Sequence, residues 1–149
     1  MSTKSCAFFG HRNIDLSPYK EKLLQTVTEL IEQKGVTRFY SGFRGDFDAY
    51  CSSLVFELKK RYPQIKSTMV LSYLPENFVL PKYFDDSIYL LERQVPQRLA
   101  IIETNKLLVD RVDYIVAGVL HHGGGAYTAL QYAYKRKKPT VNVIDGWEI

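Results

Sequence analysis

The chain has 149 residues, 46% hydrophobic and 24% charged, which sets aside disordered and fibrous classes and favours one domain with a continuous core. No run approaches the ~18 consecutive apolar residues of a membrane span, and the short apolar stretch before Gly10 is too brief for a signal-peptide core, so a cytoplasmic protein without a membrane partner is expected. The net charge of +4 lies largely in Lys59-Lys60-Arg61 and Lys135-Arg136-Lys137-Lys138. Each run closes a predicted helix, where cations complement the dipole, so nucleic acid is not an expected partner.

In chain order, Ser5 to Phe9 reads as a strand. A helix follows from Ser17-Pro18, with Leu23, Leu24, Val27, Leu30 and Ile31 as its apolar stripe and Gly35 as its stop. Thr37 to Ser41 is the second strand. The second helix runs from about Asp46 to Tyr62, turning Phe47, Cys51, Leu54, Val55 and Leu58 inward, with Pro63 beyond it. Ser67 to Ser72 is the third strand. The proline-bearing stretch 73–94 is less regular and suggests a short helix near Tyr83 and a short strand at Ser87 to Leu91. A helix from Pro96 to about Arg111, a strand from Tyr114 to Leu120, a helix from Ala126 to about Arg136 and a strand from Thr140 to Ile144 complete the pattern. Strands alternating with helices predict a single Rossmann-like α/β domain over residues 1–149, its mainly parallel sheet covered by helices on both faces.

Ligands of open parallel sheets bind beyond the carboxyl ends of the strands. Three segments leave strands there and carry glycine: Gly10-His11-Arg12, then Ser41-Gly42-Phe43-Arg44-Gly45-Asp46-Phe47-Asp48, then His121-His122-Gly123-Gly124-Gly125. The triple glycine opening a helix offers backbone N–H groups beside the positive end of a dipole, a setting for phosphate. Arg12 and Arg44 suit phosphate or carboxylate. His11 is expected as a loop former or ligand contact, Asp46 as a helix cap, and Asp48 as an acceptor for a ribose hydroxyl. A position at the start of a helix is expected to lower the Asp48 pKa and make it a poor proton donor. Asn105 falls near the middle of the apolar arc formed by Leu99, Ile101, Ile102, Leu108, Val109 and Val112, so it should be a buried amide under the site, bracing the loops or reaching a ligand. Cys6 reads as a core residue. Neither the two cysteines nor the adjacent His121-His122 pair has metal-ligand spacing, so no metal and no cofactor are expected.

Phe9-Gly10-His11-Arg12, the loop Ser41 to Asp48, the stretch Asn105 to Asp110 and Gly123-Gly124-Gly125 occur in this order, and together they resemble the SLOG superfamily. Within it the set is similar to the YpsA-like proteins of Gram-positive bacteria and their mobile elements, phages included. The resemblance covers nearly the whole chain. It implies a fold that binds nucleotides or nucleotide-derived signals, related to the LOG phosphoribohydrolases and the Smf/DprA proteins, and it implies a homo-oligomer. It also brings Ser41, Gly42, Gly45, Asp110 and Thr128 into the expected ligand-binding set. The chain departs from these relatives at Thr104, where YpsA-like members commonly have arginine, at Gly125, where they have threonine, and at Gln131, nearest in position to the LOG catalytic glutamate. An amide cannot act as a carboxylate acid or base.

The leading expectation is therefore a binding domain for a nucleotide or ADP-ribose-type signal, acting as a sensor or sequestering protein. The alternative is a nucleotide N-glycoside hydrolase that uses Asp48 or another loop acid. Single-stranded DNA binding ranks third.

Overall fold

The computed structural model describes residues 3–144. Its elements are β1 (Lys4–Gly10), α1 (Lys20–Lys34), β2 (Val36–Ser41), α2 (Asp46–Leu58), β3 (Lys66–Leu71), β4 (Asp86–Tyr89), α3 (Gln97–Arg111), β5 (Tyr114–Gly118), α4 (Gly124–Lys135) and β6 (Thr140–Asn142). All six strands run parallel in the order β4-β3-β2-β1-β5-β6. The α/β class and the parallel sheet are as expected.

Period-two alternation in β1 supplies both cores. Cys6 and Phe8 face one side, where Leu23, Val27 and Ile31 of α1 and Phe47, Cys51 and Val55 of α2 pack. Ala7 and Phe9 face the other, against Leu108 and Val109 of α3 and Ala129, Leu130 and Ala133 of α4. Both faces of the sheet are thus covered, which is why strands such as β1 and β5 read as continuous apolar runs. Cys6 and Cys51 are fully buried, and burial pushes both thiols well above the ordinary range.

Local chemistry explains where the elements begin and end. Gly35 closes α1 in the left-handed region at φ 72°. Ser17, expected as a helix cap, instead opens a short 3₁₀ turn over Ser17–Tyr19 and donates its N–H to Asp15 Oδ1. The first two apolar residues of the α1 stripe divide: Leu23 is buried, whereas Leu24 is exposed at the edge of the arc.

The stretch 73–94 contains the expected edge strand, β4, but no helix near Tyr83; a turn from Pro81 to Phe84 stands there. Asp85 and Asp86 hold it. Asp85 accepts from the Ser67 N–H and pairs with Lys59, while Asp86 accepts from Thr68 Oγ1. α4 begins at Gly124, two residues earlier than the sequence suggests, because the glycines themselves take up the first helical turn. No described helix is long and apolar enough to cross a membrane.

Candidate functional site

The chain leaves β1 toward β2, β3 and β4 on one side and returns through α3 to β5 and β6 on the other. The connections following β1 and β5 therefore diverge, and a crevice opens between their carboxyl ends. A cavity of about 620 Å³ lies there, lined by residues of the loops after β1, β2 and β5 and by the starts of α2, α3 and α4.

Eleven of the fifteen expected residues line it: Gly10, His11, Arg12, Gly42, Arg44, Asp48, Asn105, Gly123, Gly124, Gly125 and Thr128. The other four have structural work elsewhere. Ser41 is buried and its Oγ accepts from the Phe43 N–H, tightening the loop. Gly45, at φ 117°, has a backbone region that a side chain rarely adopts, and a Cβ there would fall 2.4 Å from Arg12 Cα. Asp46 does not cap α2 with its carboxylate; it accepts from the Ile14 N–H and braces the loop after β1. Asp110 is a clearer correction. It lies near the end of α3, far along the helix from the crevice, where it accepts from Tyr132 Oη and pairs with Arg136 to clamp α3 on α4.

The starts of α2 and α4 have different fates. The Asp46 N–H donates to Arg12 O at 2.8 Å and the Phe47 N–H to His11 O at 3.5 Å, so the first donors of α2 are consumed by the neighbouring loop. No side chain caps α4, whose N-cap is Gly123 at φ 95° and whose first residue is Gly124 at φ 85°. A Cβ added at Gly123, Gly124 or Gly125 would meet nothing within 4 Å, so the glycines face open space. Gly10 and Gly118 are small for another reason: a Cβ at either would fall 2.1–2.4 Å from the Phe47 ring. Their missing side chains admit an α2 core residue.

His11 holds the loop that leads to the glycines. Its buried ring accepts at Nε2 from the Leu120 N–H (2.9 Å) and the His121 N–H (3.3 Å), and it stacks on His121 at 3.9 Å between centroids. Accepting at Nε2 places the proton on Nδ1 of a neutral imidazole. Burial, with His121 adding to it, holds the His11 pKa below its ordinary value.

Opposite the glycines, Arg44 and Asp48 form the floor. Asp48 Oδ2 accepts from the Arg44 N–H at 3.0 Å, whereas Asp48 Oδ1 is buried and has no protein partner. Burial raises the Asp48 pKa to about 6, against the pull of the Arg44 N–H and of the Arg44 and Arg12 charges. The expected lowering by the helix start is thus reversed, since desolvation outweighs the local N–H groups. Arg44 donates from Nη1 to Ser72 Oγ (3.0 Å) and from Nη2 to Asn105 Oδ1 (3.1 Å), and its guanidinium lies over Gly42, where a Cβ would be 2.7 Å away. Burial lowers the Arg44 pKa, while Asp48 opposes the effect.

Asn105 is the buried amide expected on α3, and it braces the loop residue Arg44. Ser72 was not foreseen as part of this network; its position at the carboxyl end of β3, on the same edge as the glycine loops, was the available signal. Ile101 and Ile102, read as core positions, line the crevice instead. Among the described residues no group of three or more His, Cys, Asp or Glu side chains is placed to hold a metal ion.

This geometry defines a Rossmann-like α/β domain with its crevice at the point where strand order reverses. No family model and no curated protein matches the chain. Solved structures do. DNA processing protein A from Streptococcus pneumoniae superposes with a TM-score of 0.68 at 11% identity, over 97% of this chain and 53% of that one. DNA processing protein A from Helicobacter pylori gives 0.65 at 16%, over 92% and 63%. The molybdenum cofactor (Moco) carrier protein from Chlamydomonas reinhardtii gives 0.53 at 15%, over 93% and 75%. The chain thus spans between half and two thirds of the DNA processing proteins it matches. At these identities the likeness establishes the fold.

One expectation is overturned. The Helicobacter pylori structure is described by its single-stranded DNA binding mode, so a protein with this fold does bind nucleic acid. The lysine-rich helix ends lie away from the crevice, but the loops after β1 and β2 bring Arg12 and Arg44 into its lining.

Proposed function

We propose that the crevice binds a nucleotide or an ADP-ribose-type nucleotide derivative and that the protein acts as a sensor or sequestering domain. One observation carries the reading: the uncapped start of α4 faces a crevice whose floor holds an unpartnered, buried Asp48 Oδ1. The first wall suits phosphate oxygens. The second needs a donor, because an unpaired buried polar atom costs roughly 1–3 kcal/mol, and a ribose hydroxyl supplies one. The volume of about 620 Å³ is that of a small-molecule site. The Moco carrier of the same fold supports a holding role.

Gln131 supports retention over turnover. It stands where the resemblance would place a catalytic acid, and its amide donates to Tyr127 Oη on the exposed face of α4. A second reading, N-glycoside hydrolysis, is favoured by a specific observation: a carboxyl with a pKa near 6 is a usable acid close to neutrality.

The test is to denature the purified protein, identify released small molecules by mass spectrometry, and then titrate nucleoside monophosphates, NAD and ADP-ribose while following free base. Stoichiometric binding with intact ligand recovered is expected. Base release over many turnovers, lost on Asp48→Asn, establishes the hydrolase instead. Failure of the whole panel to bind overturns both.

A further inference from the structure

A second cavity, of about 430 Å³, adjoins the first at the carboxyl ends of β3 and β4. Ile101 lines both. Arg44 joins them more closely: its Nη2 donates to Asn105, a wall of the first cavity, and its Nη1 donates to Ser72, a wall of the second. Tyr73 acts electrostatically on Arg44 from the second side.

The second cavity differs in chemistry from the first. Tyr73 and Tyr89 line it, with Leu74, and the amides of Gln94 and Gln97 stand at its border with α3. Tyr73 is 68% exposed, Leu74 70% and Tyr89 38%. Neither tyrosine packs against another ring among the described residues. Exposed, unstacked phenol rings beside carboxamide groups are the equipment for a flat heterocycle: the rings offer a stacking face and the amides pair with polar ring edges. The first cavity by itself already has room for a mononucleotide, so the second is not needed for that ligand.

We infer that the second cavity is a second nucleoside subsite, so that the ligand class is two nucleosides joined through phosphate, with the linkage passing over Arg44. This rests on the nucleotide reading of the first cavity. A guanidinium presents five N–H donors in a planar fork, and the bonds to Ser72 and Asn105 engage two of them. Arg44 lines the first cavity and is bonded to Ser72 in the wall of the second, so its charge stands beside the passage a bridging phosphate would take. A free dinucleotide and a segment of single-stranded DNA share this chemistry.

The full chain is titrated calorimetrically with AMP, with the 5′-phosphorylated dinucleotide pApA, with NAD and with a deoxyadenosine decamer. At least one two-nucleoside ligand is expected to bind roughly tenfold tighter than AMP or better, the gain of one added stacked base. Tyr73→Ala should remove that gain and leave AMP affinity within about twofold, and Tyr73→Phe should retain it. A decamer that binds more tightly than pApA and takes up more than one chain identifies DNA as the source; a decamer no tighter than pApA identifies the free dinucleotide. If AMP binds as well as every two-nucleoside ligand, or Tyr73→Ala weakens AMP and dinucleotide equally, the second subsite is disproved while the first cavity stands. If nothing binds, the nucleotide reading itself fails.

Discussion

Asp48 and His11 show what single residues contribute, and their protonation acts on stability with opposite signs. The folded-state pKa of Asp48, about 6, exceeds the ordinary 3.8, so folding disfavours its charged form. Its contribution is most favourable below 3.8 and is lost as pH rises through 6, on the order of 2–3 kcal/mol. His11 is held below 6.5, so folding disfavours its protonated form. Its contribution is full above 6.5 and is lost as pH falls, when Nε2 gains a proton and confronts the Leu120 and His121 N–H groups. Denaturation midpoints in urea across pH 4–8 should therefore fall toward alkaline pH because of Asp48, and Asp48→Asn should flatten that fall. The same variant keeps an oxygen for the Arg44 N–H but replaces the free carboxylate oxygen, so nucleotide affinity should drop by roughly ten- to a hundredfold, the worth of a hydrogen bond to a charged group. An unchanged pH profile would show that the carboxyl is solvated rather than buried.

Among the elements, α4 and α2 separate two uses of glycine that look alike in sequence. Gly125 lines the crevice and a Cβ there meets open space, so Gly125→Val should fold with a melting temperature close to that of the parent. The valine would stand over the first N–H groups of α4 and should weaken nucleotide binding by tenfold or more, on the order of one lost phosphate hydrogen bond or two. Gly118→Ala is its converse, because the new Cβ would fall 2.4 Å from the Phe47 ring. Overpacking of this kind costs typically 1–3 kcal/mol, and the measured midpoint should drop before any effect on the ligand is seen. Thermal melts and calorimetry on the two variants check both outcomes; a stable Gly118→Ala would show that the Phe47 ring can turn aside.

For the whole molecule, parallel topology sends the carboxyl ends of α2 and α4 to the edge of the sheet opposite the crevice, carrying most of the surplus positive charge with them. Changing Lys135, Lys137 and Lys138 together to glutamine should leave mononucleotide affinity within about twofold at ordinary ionic strength, because exposed charges beyond a Debye length of ~8 Å are screened. A marked loss of affinity in that variant would place the ligand at the wrong edge.

The amino-acid pattern is enough for the fold class, the strands at the centre of the sheet, the edge on which the glycine loops meet and the buried amide at Asn105. Those properties follow from local periodicity and from the fixed handedness of strand–helix–strand connections, which a linear pattern carries. Long-range packing settles which glycine serves a crevice and which serves Phe47, that Asp110 clamps two helices, that burial raises rather than lowers the Asp48 pKa, and that Arg44 reaches Ser72 across 28 positions of the chain. Desolvation and close contact depend on which distant segments come together around a group, and spacing along one chain does not encode that directly.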